Sequence, residues 1–281
     1  MFRDRFGARR ARAWIGHGQS PEKTMPLPED WDTINWAPNV VILPPMTEGI
    51  RTNLINAQRY PQYPRGYFMM AYVDAGGISV GYNALEVGTA GKQMSEFVFR
   101  HELGHHALGH TSALGPDSMN GVTFSQNNEL DADQYSYTHW MSRRDAYGLA
   151  VVLAAVAYFG GQGNAPGDAA HPAPAVRGNR LRLLLQAEQL SQFTFQYDPA
   201  TDPVFEREVL VQLFGYGWDD AAQLIALIAA HGAVTIVAKG TSRTARLIDR
   251  VESARMMEYI RAKMRFAGQM GFHVTYGPLA I

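Results

Sequence analysis

The residues able to do chemistry are concentrated in Phe97-Val-Phe-Arg-His-Glu-Leu-Gly-His-His-Ala-Leu-Gly-His110, which contains the pattern His101-Glu102-Leu103-Gly104-His105. On an α-helix, side chains four residues apart leave one face, one turn apart. His101 and His105 can therefore offer two imidazole nitrogens to a single metal ion. Glu102 lies about 100° further round by the 3.6-residue repeat, where it reaches a water on that ion without binding the ion. Two histidines beside a carboxylate base suit zinc-dependent peptide hydrolysis. Phe97, Val98 and Leu108 supply an apolar stripe for such a helix, with Ser95 as the expected N-cap and Gly109 as the expected stop.

A catalytic zinc takes three protein ligands and keeps a fourth position for water. The next acidic cluster, Asn128-Glu-Leu-Asp-Ala-Asp133, stands where a loop and a second helix can return to the metal. Glu129 and Asp133 are four apart and share a helix face. One of them can bind zinc while the other accepts the second N–H of a ligand histidine and fixes its tautomer. The remaining histidines have plainer readings. His106 turns about 100° away from His105, and His110 reads as a surface or capping residue.

Composition narrows the classes. A chain of 281 residues, 46% apolar, can bury a sizeable core, in one large domain or in a domain with an appendage. Its formal net charge of −1 gives no reason to expect nucleic acid. Without cysteine, disulfides and thiolate-bound zinc are excluded, so the metal ligands must be His, Asp or Glu. That composition suits a cytoplasmic setting. The longest apolar run, Leu149 to Phe159, ends at Gly160-Gly161 and falls short of the ~18–20 residues of a membrane span. The arginine-rich start, Met1 to Arg12, has no apolar stretch behind it and does not read as a secretory signal.

These residues need elements to position them. Residues 1–38 read as an irregular lead-in, Asn39 to Leu43 as a strand, and residues 48–60 as a helix ending before Pro61. Two β-rich runs around a Gly-rich turn predict a hairpin over residues 66–82. Residues 111–127 form a long loop bordering the cleft. Helices are expected over 129–143, 145–159 and 180–190, with a Gly/Ala/Pro-rich loop at 160–178 that holds His171. Beyond a boundary near residue 198, helices are expected at 203–214, 218–231 and 241–270, with short strands at 234–238 and 273–276.

With these positions laid out, the middle of the chain resembles the HtpX and prenyl-protein-processing family of gluzincin metallopeptidases. Gly76 to Leu85 resembles the strand and turn before the zinc helix, Ser95 to His110 the helix itself, and Glu129 to Asp133 the third-ligand block. His171-Pro172 with Arg177 is similar to a later segment of that family. The resemblance implies zinc ligation by His101, His105 and Glu129, with Glu102 as base and Asp133 in support. It also implies that His171 and Arg177 lie close to the cleft. Many relatives are membrane-embedded and this sequence shows no membrane helix, so the resemblance does not carry a membrane-protein substrate with it. The ImmA/IrrE regulator-cleaving metallopeptidases share His-Glu-Leu-Gly-His but tend to carry asparagine where Asp133 stands, and phage-exclusion proteases of the Lit type share the two histidines and the glutamate.

The resulting expectation is an α+β, zincin-like metallopeptidase domain over residues 39–198, with an α-rich region over 199–281. It would act as a soluble zinc endopeptidase on a protein or peptide, with His171 or Arg177 as a further donor to the oxyanion. The substrate main chain is expected to pair with an exposed strand of the hairpin, at Ile78 and Val80. The alternatives are a regulatory or toxin protease with one protein target, and a zinc-binding regulator without turnover. Nothing in the sequence addresses oligomeric state.

Overall fold

The computed structural model describes residues 51–55, 69–74, 77–83, 90–110, 125–168, 171–242, 244–269 and 271–281. The expected lead-in, the strand at 39–43 and residues 111–124 of the cleft loop lie outside them. Among the described residues the protein is α+β, with seven helices, two three-stranded sheets and a two-stranded ribbon. It divides into two compact units. One holds the described residues through Ser142 together with Val151–Leu181; the other holds Arg143–Ala150 and Arg182–Ile281. None of the described helices is long and apolar enough to cross a membrane.

The first unit is built on β1 (Arg51–Ile55), β2 (Met69–Asp74), β3 (Gly77–Asn83), α1 (Lys92–Ala107) and α2 (Gln126–Ser142). The sheet order is β1-β3-β2, with β1 parallel and β2 antiparallel to β3. The hairpin forms where its sequence pattern placed it. Within the helix expected over residues 48–60, Arg51 to Ile55 is a strand instead, paired in register with Ser79 to Asn83; tertiary pairing overrides a weak local helical preference there, and the rest of that span lies outside the described residues.

Helix α1 begins earlier than its sequence suggested. Gly91 is its N-cap, and Ser95 lies inside the first turn, fully buried. Helix α2 packs closely on α1 because Gly104 has no side chain. A Cβ there would lie 3.1 Å from Tyr135 Cβ and 3.2 Å from Ala132 Cα, tight enough to force the helices to give. Ser136 Oγ also donates to the buried Phe97 carbonyl at 2.7 Å. This close approach brings the face carrying His101 and His105 against the one carrying Glu129 and Asp133. Helix α3 (Ala146–Gly161) and α4 (Pro174–Ala187) follow, and the Leu149 to Phe159 run is the buried helix its length predicted.

The second unit contains more strand than the α-rich region expected there. Ser191-Gln-Phe-Thr-Phe-Gln196 forms β4, the middle of an antiparallel sheet between β5 (Ala233–Ile236) and β8 (His273–Pro278). Its alternating burial is that of a sheet covered on one face. Phe193 and Phe195 enter a core with Phe205, Phe214, Phe272 and Ile260, while Thr194 Oγ1 meets Thr235 Oγ1 on the other face at 3.1 Å. The helices α5 (Pro203–Phe214) and α6 (Trp218–His231) match their predicted bounds. A ribbon of β6 (Ala238–Lys239) and β7 (Arg246–Leu247) occupies the start of the expected last helix, so α7 is Arg250–Ala267. Among the described residues β4 pairs with β5 and β8, strands of this same unit.

Candidate metal centre and active site

Helix α1 presents His101 and His105 one turn apart, and α2 brings Glu129 to them, all three buried. The two Nε2 atoms are 3.1 Å apart. Glu129 Oε2 lies 3.4 Å from His101 Nε2, and Glu129 Oε1 lies 3.3 Å from His105 Nε2. Tetrahedral ligands on bonds of ~2.0–2.1 Å are about 3.3 Å apart, so the triangle has the size a metal ion needs. Glu129 Oε2 is buried and makes no hydrogen bond, an acceptor that an ion would satisfy. These three residues could hold a metal ion.

Asp133, one turn beyond Glu129, accepts a hydrogen bond from His101 Nδ1 at 2.9 Å. That bond puts the proton on Nδ1 and leaves Nε2 bare for a metal. Arg177, from α4, donates to the same carboxylate through Nε at 2.7 Å and Nη2 at 2.6 Å. Its Nη1 lies 3.6 Å from Glu129 Oε2, and its guanidinium sits 4.4 Å from the Phe159 ring centroid. Burial alone would raise both carboxyl pKa values. For Glu129 the close approach and charge of His101, then His105 and the charge of Arg177, outweigh burial and hold it well below its usual range. For Asp133 the Arg177 charge and hydrogen bond do the same.

Glu102 projects from α1 toward the sheet, where its Oε2 accepts the Ala71 main-chain N–H at 2.7 Å. Ala71 lies in β2, and among the described residues no strand pairs with that side of β2. The open edge of the sheet therefore runs past the glutamate. Ile78 and Val80, expected to pair with substrate, lie in β3 instead. This is the middle strand, with β2 opposite Gly77 to Tyr82 and β1 opposite Ser79 to Asn83. Its hydrogen-bonding edges are occupied, and among the described residues the edges of this sheet are β1 and β2.

The loop before α4 brings His171 to the same place. Its Nε2 lies 3.7 Å from Glu129 Oε1. Asp168 Oδ1 accepts the His171 main-chain N–H at 2.7 Å and lies 3.1 Å from Nδ1. Gln126, at the start of α2, donates to the Asp168 carbonyl at 2.6 Å, which ties the loop to the helix carrying Glu129.

Three contributors were not assigned from sequence. Ala71 acts through its main chain, so its residue type carries no signal. Asp168 stands three residues before His171, a spacing visible in the sequence once a histidine is known to need a partner. His110, expected as a surface or capping residue, closes the helix end through its main-chain N–H and also has its Nδ1 3.0 Å from His105 Nδ1. Burial, and then the neighbouring His105, lower its pKa below the ordinary histidine value.

No curated protein and no solved structure matches the chain. Residues 91–194 match the family model described as Peptidase U49. The match indicates a peptidase family and does not single out the HtpX-like or ImmA/IrrE families that parts of the sequence resemble. It spans His101, Glu102, His105, Glu129, Asp133, His171 and Arg177, and it supports a peptidase acting on protein.

Proposed function

We propose that the chain is a zinc endopeptidase of zincin-like design. The observation carrying this reading is the His101–His105–Glu129 triangle at tetrahedral spacing, with Glu102 one residue from the first ligand and turned to an open sheet edge. Charge supports it too. Glu102, Glu129 and Asp133 are three buried carboxylates facing one buried guanidinium, Arg177. With the carboxylates ionised, a divalent cation brings the site to neutrality, which a buried cluster requires.

Zinc held there supplies Lewis acidity toward water and the scissile carbonyl. Glu102, steadied by Ala71 through Oε2, takes the proton of the attacking water on its other oxygen and passes it to the leaving amine. The substrate main chain lies along β2. His171, its Nδ1 on Asp168 and protonated at both ring nitrogens, donates through Nε2 to the developing oxyanion. Replacing His171 with Phe should therefore lower kcat and kcat/KM together by about 10²-fold, with KM nearly unchanged. A rise in KM at constant kcat would make it a substrate-binding residue instead.

The direct test is elemental analysis and peptide cleavage. Purified protein should hold about one zinc per chain, His101→Ala should lose it, and a peptide library should be cut only by the loaded protein. Full zinc retention by His101→Ala would refute the ligand set.

Metal removal should also have a proton signature. Burial by itself lowers the His101 pKa, but the Asp133 hydrogen bond and the close negative charges of Glu129 and Asp133 outweigh it and raise the pKa to about 10. After chelation His101 thus carries a proton at neutral pH, which zinc must displace. Affinity should weaken about tenfold for each unit that pH falls below that value, with about one proton released per ion. Calorimetry in two buffers of different ionisation enthalpy reads the proton count, and zero would contradict the assignment.

A further inference from the structure

The chain turns back on itself just after the metal-bearing helix, and the turn is specific. Gly109 has φ 74°, the left-handed conformation that L side chains disfavour. Its N–H reaches the His106 carbonyl at 3.1 Å, and the His110 N–H reaches the His105 carbonyl at 2.8 Å. This pair of bonds is the Schellman ending, in which the residue after the left-handed glycine folds against the residue five positions earlier. In most such endings that contact is apolar. Here it joins two imidazoles, with Nδ1 atoms 3.0 Å apart and ring centroids at 5.2 Å.

Two nitrogens at that distance share one proton. If His105 uses Nε2 for a metal, the proton on its neutral ring stands on Nδ1, and His110 Nδ1 must accept it. We infer that His110 is a positioning residue for the metal centre, accepting the His105 Nδ1–H through a contact built by the Gly109 turn. It does for His105 what Asp133 does for His101. The acceptors differ in charge. A carboxylate in place of His110 would add a fourth negative charge beside Glu102, Glu129 and Asp133, whereas a neutral imidazole orients the ligand and leaves the balance with Arg177 and a divalent ion intact.

This inference rests on the zinc reading proposed above, so its test separates the two. Zinc dissociation constants are measured by competition with a chromophoric chelator for wild type, His110→Phe and His110→Asn. Thermal midpoints are recorded on the same proteins after chelation. Phenylalanine fills the space without an acceptor, and it should raise the dissociation constant about 10–100-fold, the usual cost of losing an outer-shell partner, with little change in midpoint. Asparagine, whose amide oxygen can take the same proton, should recover most of the loss. A phenylalanine variant that holds zinc like wild type would overturn the inference, as would an asparagine variant no better than phenylalanine. If wild type binds no zinc, the zinc reading fails first. The ¹⁵N shifts of the wild-type His105 ring then still decide: a ring protonated on Nδ1 supports the role of His110, and a bare Nδ1 overturns it. The same spectra serve if the phenylalanine variant does not fold.

Discussion

Glu102→Gln is expected to keep the metal and the fold while hydrolysis falls at least ~10²-fold and by as much as ~10⁴-fold, the span of general acid–base catalysis. The geometry explains why the change is so selective. Glu102 is buried and is absent from the triangle formed by His101, His105 and Glu129. Its Oε2 accepts the Ala71 N–H, and an amide oxygen can accept the same bond. What glutamine cannot do is take a proton from water. Zinc content and thermal midpoint should therefore match wild type, and kcat should fall with KM nearly constant. The measurement is steady-state kinetics on a cleaved peptide, with zinc quantified in the same samples. A glutamine variant with wild-type turnover would remove the base from the mechanism. One that loses zinc would instead make Glu102 a ligand.

The second large effect falls on Arg177, and on stability as well as rate. Its guanidinium makes a two-bond pair with Asp133 and adds a nearby charge to Glu129, all inside the first unit and almost wholly buried. Removing one partner of a buried pair leaves an uncompensated charge and typically costs about 3–5 kcal/mol. Arg177→Ala abandons two carboxylates at once and vacates the space over Phe159. We expect a loss in that range for the zinc-free protein by urea unfolding, with zinc binding weakened about 10–100-fold because Asp133 no longer holds His101 firmly. Arg177→Lys keeps the charge but not the fork, and should recover only part of the loss. In Arg177→Ala/Asp133→Ala the stability cost should be smaller than the sum of the single costs, since the stranded charge is gone. Additive costs would mean that the two side chains do not act as a pair.

The residues with chemistry were legible in order along the chain because helical spacing is local. His101, Glu102 and His105 owe their shared turn to the 3.6-residue period alone, and Glu129 and Asp133 owe theirs to the same rule. A sequence pattern of this kind survives any tertiary arrangement that keeps the helices. The hairpin and the bounds of α5 and α6 were legible for the same reason: Gly-rich breaks, Asp202-Pro203, Gly215 and Gly232 are local punctuation. The strand β4 also carries a local signal, the alternation of Phe193 and Phe195 with polar residues, but it is short and directly follows a leucine-rich helix.

What tertiary structure alone decided is which groups meet across distance. The β1 segment has little strand character of its own and becomes a strand because β3 offers it a parallel partner. Ile78 and Val80 have the composition of a substrate-pairing strand, yet pairing order puts them in the middle and leaves the edges to β1 and β2. The Ala71 N–H reaches Glu102 through a main-chain atom that every residue except proline possesses, so no residue type could announce it. Asp133 could be paired with a histidine from spacing, but its two bonds to Arg177 span 44 positions. His110 shows the division most sharply. Glycine followed by histidine after a helix is local information, and it permits a left-handed turn. That the turn lays one imidazole against another is a matter of ångströms, and only the folded chain sets it.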